Sequence, residues 1–179
     1  MEDIRRFLGL DKNNTAFDLV ITETSALIKE LSPSYVYAYF DIEKNETGIL
    51  LKGADILLSG ILAKKHFSDC KGVIVLLATL GLKSEIIMRR TFVLSAEKGL
   101  VLDAVFSDAI EKELDRTEKS LSEKFGRLTT RISCGYGDLP IKLQKPLFDV
   151  VGGEKIGVSI NECFMLTPNK SVLALIGVK

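Results

Sequence analysis

The sequence predicts a single mixed α+β domain spanning residues 1–179, and three observations carry that prediction. From Ser34 to Glu43, apolar Val36, Ala38, Phe40 and Ile42 alternate with Tyr35, Tyr37, Tyr39 and Asp41, the period-two pattern of a β-strand with unlike faces. From Val73 to Leu80 the chain is continuously apolar and rich in β-branched residues between Gly72 and Gly81, as a strand buried on both faces would be. Other stretches repeat their apolar residues at helical spacing, but helices and strands do not alternate regularly enough for a doubly wound parallel sheet.

In chain order, Ile4, Phe7 and Leu8 indicate a short opening turn of helix closed by Gly9. Thr15 to Leu31 reads as an amphipathic helix, with Phe17, Val20, Ile21, Leu27, Ile28 and Leu31 on one face and Pro33 limiting its extension. The Ser34–Glu43 strand turns through Lys44–Gly48 into a partner strand at Ile49–Leu51, forming a hairpin. Its tyrosine ladder could serve as a stacking platform, but a covering helix on that side is the simpler expectation. Asp55 to His66 is expected to be a short helix. After the central strand, Thr79-Leu80-Gly81 leads into a helix over Ser84–Leu94; a single glycine there indicates a turn rather than a dinucleotide-binding loop. The longest helix covers Leu100 to about Lys124, its buried stripe being Leu102, Val105, Phe106, Ile110, Leu114 and Leu121, with Glu111 and Asp115 one turn apart on a charged face. Pro140 and Pro146 bracket a short helix with Leu143, Leu147 and Val150 inward, and Ser171–Val178 reads as a final strand.

Composition narrows the function. Lys plus Arg equals Asp plus Glu at 24 each, so nucleic acid is not expected as the main partner, although a local basic patch is compatible with the balance. The longest apolar run is far too short to span a bilayer, and the first residues lack the pattern of a signal peptide, so a cytoplasmic protein without membrane partners is expected. Cys70, Cys134 and Cys163 are widely spaced and odd in number, which points to free thiols. The one histidine, His66, falls at an expected helix end among Lys64, Lys65 and Phe67, where capping carbonyls is its simplest role.

Chemistry gathers in the last third. Arg131 offers a rigid five-donor fork suited to a carboxylate or phosphate. It is followed by Ser133, Cys134, Gly135, Tyr136 and Gly137, where the glycines permit positive φ and the tyrosine supplies an apolar face with a polar tip. That is a plausible anion-plus-aromatic site for a small zwitterionic or nucleoside-bearing ligand.

The order Arg131, Gly135-Tyr136, Pro140, Gln144, Ile160-Asn161-Glu162-Cys163, Met165, Pro168 and Ser171-Val172 resembles the reactivation domain of cobalamin-dependent methionine synthase. Arg6-Phe7-Leu8-Gly9, Ala78-Thr79-Leu80-Gly81 and the Leu102-Asp103-Ala104 helix are similar to free-standing bacterial relatives of that domain, so the resemblance covers essentially the whole chain. It implies a mainly antiparallel mixed sheet flanked by helices. It also implies an accessory protein that binds S-adenosylmethionine and supports reductive remethylation of cob(II)alamin. The cobalamin would be held by a partner, a corrinoid-binding methionine synthase or related methyltransferase, with a flavodoxin-like or other reductant supplying the electron.

By the same resemblance Arg131 would pair with the methionyl carboxylate, the backbone of Ser133, Cys134 and Gly135 would hold the amino and adenosyl parts, and Tyr136 would pack on the ligand. Glu111 would stand near it, and Glu162 would steady its own loop. Cys134, Asn161, Cys163 and Leu173 depart from the family pattern, no N-terminal aspartate matches the one that contacts the ligand amine, and the chain stops soon after Gly177. The corrinoid-binding Asp-x-His-x-x-Gly motif is absent, so the chain is not a complete methionine synthase. The alternatives are a docking or regulatory module that has lost the ligand and, disfavoured by the missing glycine-rich turn, an autonomous methyltransferase.

Overall fold

The computed structural model describes residues 2–9, 15 and 17–179. Its frame is a five-stranded sheet in the order β3-β2-β1-β4-β7, in which every pairing is antiparallel. The strands are β1 (Ser34–Lys44), β2 (Gly48–Leu51), β3 (Ile56–Ser59), β4 (Gly72–Thr79) and β7 (Ser171–Val178). The helices are α1 (Glu2–Phe7), α2 (Asp18–Ser25), α3 (Ile61–His66), α4 (Leu82–Leu94), α5 (Ala96–Phe125) and α6 (Gln144–Val151). A small hairpin of β5 (Ser159–Ile160) and β6 (Leu166–Thr167) completes the set. This is the expected α+β class with its mainly antiparallel sheet.

β4 lies inside the sheet, between β1 and β7, because its run from Val73 to Ala78 is apolar throughout and the fold can bury both of its faces. Val73, Val75 and Leu77 join Leu173 and Leu175 of β7 in a core closed by Leu51, Leu58, Phe67, Leu147 and Phe148. Ile74, Leu76 and Ala78 point the other way, into a core closed by Ile21 of α2 and by Leu102, Val105, Phe106 and Ile110 of α5. α5 begins where Ser95 accepts a hydrogen bond from the Lys98 amide at 3.3 Å, and it ends at Gly126 with φ 85°. The tyrosine side of β1 is covered, as the simpler expectation had it: Tyr39 stacks on Phe125 at 5.3 Å, Tyr37 meets the same ring edge-on, and Lys124 Nζ donates to the Tyr37 hydroxyl at 2.8 Å.

Three segments differ from expectation. Asp55–His66 is not one helix: Ile56–Ser59 pairs with β2, Gly60 turns the chain at φ 114°, and α3 starts only at Ile61. Three consecutive apolar residues carry too little periodicity to separate strand from helix, and here alternation places Ile56 and Leu58 inward. The helix expected over Thr15–Leu31 is α2 followed by a 3-10 turn at Ala26–Glu30; the part of that expectation that falls on residue 16 lies outside the described residues. In α6, Phe148 and Val151 are buried while Val150 faces outward, a shift of the inward stripe. No described helix is long and apolar enough to cross a membrane.

Gly153, just after α6, sits where a Cβ would lie 2.1 Å from the Phe148 ring and 2.6 Å from Leu77 Cδ2, both fully packed. Gly153→Ala is expected to lower stability by about 1–3 kcal/mol through overpacking, seen as a fall in the urea midpoint with little change in slope.

Candidate functional site

Beyond β7 the sheet continues as an irregular edge. Leu128 bridges to Val178 and Ile132 to Leu175, with the Ile132 and Leu175 amides exchanging hydrogen bonds at 3.0 and 2.7 Å. Ile132 therefore points into the core, and Arg131 beside it is turned toward α5. There the guanidinium donates to Glu111 Oε2 at 2.5 Å, to Asp115 Oδ1 at 2.9 Å and to Glu118 Oε1 at 2.5 Å. The three acids are spaced i, i+4 and i+7 on α5, so they share one helix face. Burial alone would lower the Arg131 pKa, but the hydrogen bonds it donates to Glu118, Glu111 and Asp115 outweigh it and raise the value, leaving the charge permanent.

Sequence reading brought Arg131 and Glu111 into one site and noted Asp115; Glu118 was missed, although its place one turn further along the same face was a usable signal. Arg131, Glu111 and Asp115, with Arg6, Phe7 and Asp108 among other residues, line a cavity of about 470 Å³.

After Ile132 the chain enters the glycine–tyrosine–glycine turn. Gly135 and Gly137 both take positive φ, at 90° and 55°. The Gly135 amide donates to Leu139 O and the Tyr136 amide to Ser133 O, so those two donors are spent within the turn. Cys134 is buried in the core below the loop, and burial pushes its thiol up to about 11, so it is a packed, inert sulfur that offers only its backbone. Tyr136 is 62% exposed at the loop tip. Asp138, which sequence reading did not single out, anchors the turn: its carboxylate accepts from the Leu62 amide at 2.9 Å and the Ile61 amide at 2.5 Å, at the start of α3. Those bonds hold its carboxyl below the usual carboxylate range.

Ser133, two residues after Arg131, lines a separate groove of about 280 Å³ together with Gln144, Phe164, Met165, Asn169 and Val172. Gln144 Nε2 donates to Phe164 O at 2.6 Å, tying the start of α6 to the 161–165 loop. That loop is organised by Asn161, whose Oδ1 accepts from the Cys163 and Met165 amides, both at 2.9 Å. Glu162, expected to steady the loop, is exposed and makes no such bond among the described residues; the short Asn161 side chain can reach the local amides, and it does that work. On the far side Glu85 of α4 accepts from the Asn169 amide at 3.0 Å and pairs with Arg89 at 2.9 Å. Ser171 Oγ lies 2.7 Å from Pro168 O and 2.8 Å from Thr79 Oγ1, beside the cis Thr167–Pro168 bond.

The three cysteines are free, and no group of His, Cys, Asp and Glu among the described residues could hold a metal ion. His66 does not cap its own helix; its Nε2 donates to Thr130 O at 2.8 Å, joining α3 to the sheet edge.

No protein-family model matches the sequence, and no curated protein matches it. Among solved structures, the crystal structure of the MetH reactivation domain bound to AdoHcy is similar over 97% of this chain and 68% of that one, with a TM-score of 0.71 and 12% sequence identity. The resemblance read from Arg131 to Val172 is thereby borne out in the fold.

Two outcomes follow for the supports of the site. Asp138→Ala removes the acceptors at the start of α3, so the Ile61 and Leu62 amides should exchange with solvent markedly faster in hydrogen-exchange NMR, while β4 amides keep their protection. Glu85 is held below the usual carboxylate range, first by the Asn169 amide and then by Arg89, against the opposing effect of burial. A depressed folded pKa contributes stability above the unfolded value, about 4.3, and loses it as pH falls through the folded value. Glu85→Gln should be less stable than the parent at pH 7, and urea titrations carried down to pH 3 should show that gap closing.

Proposed function

We propose that this chain binds S-adenosylmethionine at the Arg131 region and acts as an accessory protein in the reductive remethylation of cob(II)alamin carried by a partner, a corrinoid-dependent methionine synthase or related methyltransferase. The observation that supports it most is the fold likeness, over nearly the whole chain, to a reactivation domain solved with AdoHcy. Arg131 and the Gly135-Tyr136 turn stand in the order the resemblance requires, at the edge of the sheet.

In this reading the Arg131 fork takes the methionyl carboxylate, displacing Asp115, the most exposed of its three partners at 67%. Glu111 and Glu118 stay to hold the guanidinium in place. The exposed Tyr136 ring and the Ser133–Gly135 backbone receive the remaining parts of the ligand. No side chain need act as nucleophile or general base: the protein's contribution is orientation of a sulfonium methyl and exclusion of competing geometries. The partner's corrinoid supplies the acceptor for the methyl group, and a flavodoxin-like or other reductant supplies one electron.

One observation favours a second reading, a docking or regulatory module without the ligand. Every terminal nitrogen of Arg131 already meets a carboxylate of α5.

Calorimetric titration of S-adenosylmethionine separates the two. Saturable binding in the parent, weakened at least tenfold in Arg131→Ala because Glu111, Asp115 and Glu118 are then left unneutralised and repel the ligand carboxylate, is the expected result. A folded parent that takes up no ligand would leave the docking module as the function.

A further inference from the structure

The balanced overall charge hides a local imbalance. A cavity of about 530 Å³ opens between the end of α3 and the sheet edge, where Lys65, His66, Arg127 and Lys179 meet over Leu62 and Leu128, and no acidic side chain lines it. The four basic residues come from three places: α3, the segment after α5, and the end of β7. Among the described residues Lys65, Arg127 and Lys179 take part in no ion pair. Arg131, by contrast, is neutralised by the three acids around it.

Their roots are fixed. The Lys179 amide donates to Arg127 O at 2.9 Å, so the two side chains leave neighbouring points of the sheet edge. His66 Nε2 donates to Thr130 O at 2.8 Å and pins the α3 terminus, with Lys65, against the same segment. Cations at the end of α3 gain a little from that helix's carbonyls, but Arg127 and Lys179 belong to no such terminus. Holding these side-chain cations around one concavity with no acidic side chain among them costs Coulomb energy that an anion in the cavity would recover.

We propose that this cavity is an anion site for the phosphoryl group of a small soluble phosphate ester or pyrophosphate. The Arg127 fork orients the group, Lys65 and Lys179 act as point charges, and Leu62 and Leu128 offer an apolar wall for an organic portion. A dianionic group suits three unpaired cations better than a single carboxylate does. The proposal is independent of the function assigned to Arg131.

Pyrophosphate titrated into ¹⁵N-labelled protein at 150 mM KCl tests it, with sulfate as the comparison anion. Saturable shifts confined to residues around Leu128–Thr130 and Lys179, tighter for pyrophosphate than for sulfate, are expected. Arg127→Gln and the double variant Lys65→Gln/Lys179→Gln should each weaken binding at least tenfold. Lys119→Gln, in a neighbouring cavity that also holds Asp115 and Glu118, should leave it unchanged. The substituted side chains are exposed, and circular dichroism melts check that the variants fold. Shifts that fail to saturate, that are equal for sulfate, or that weaken as much in Lys119→Gln as in Arg127→Gln would overturn the proposal in favour of diffuse surface electrostatics.

Discussion

Everything in this fold hangs on β4. Its eight residues are buried without exception, its two neighbours pair with it along its full length, and each face feeds a different hydrophobic core. A strand of that kind cannot tolerate an open face, because either set of side chains would be left in water at a cost of about 1.5–3 kcal/mol for each large residue. The requirement calls up both layers: α5 with α2 against Ile74 and Leu76, and α6 with the β2–β3 hairpin against Val75 and Leu77. The sheet's free edges then fall at β3 and beyond β7. The second edge is where the irregular 127–132 segment docks and where the candidate site forms.

The position of the site follows from that edge. One residue of the segment, Ile132, enters the core and thereby turns Arg131 to the α5 side. A few residues later Asp138 reaches α3, which packs on the same core as Ile132, across the sheet from α5. The Arg131–Asp138 stretch thus straddles the sheet edge, held by α5 on one face and by α3 on the other. Both end attachments are hydrogen bonds to charged groups at the partly exposed surface, while Ile132 and Cys134 anchor the stretch from below, so its outer side is positioned without being packed over. That leaves Tyr136 and the turn accessible while their ends stay fixed.

The parts of this arrangement governed by periodicity were legible in the sequence. The alternation in β1, the uninterrupted apolar run of β4 and the heptad-like stripe of α5 each repeat often enough to identify the element and its buried face. Ile56–Ser59 was not legible, since three apolar residues and a serine fit either a strand or a helix, and only pairing with Gly48–Leu51 decides. In the site, Arg131 and Glu111 could be joined because each stood out chemically. Asp138 and Asn161 could not, because their roles depend on amides: for Asp138 those of a helix 76 residues away, and for Asn161 those of a turn whose shape no pattern announces. Cys134 shows the opposite failure. It stands inside the motif, yet its side chain belongs to the core.

The acid cage around Arg131 bears on any ligand that uses it. A carboxylate arriving from solution does not gain a full charge-assisted bond, because it replaces one that Asp115 already makes. The exchange is close to neutral, with the arriving group giving up its own hydration and Asp115 regaining its own. What the cage does supply is geometry: Glu111 and Glu118 hold the guanidinium in one orientation, so the ligand pays little to order it. Affinity must then come from the rest of the molecule, through the Tyr136 ring and the backbone of the turn, and specificity from where the Arg131 fork directs the carboxylate. An arginine surrounded by acids is in this sense a poor anion trap and a good alignment post. Such a post would serve the proposed function, in which one end of a ligand is presented in a fixed direction rather than held tightly.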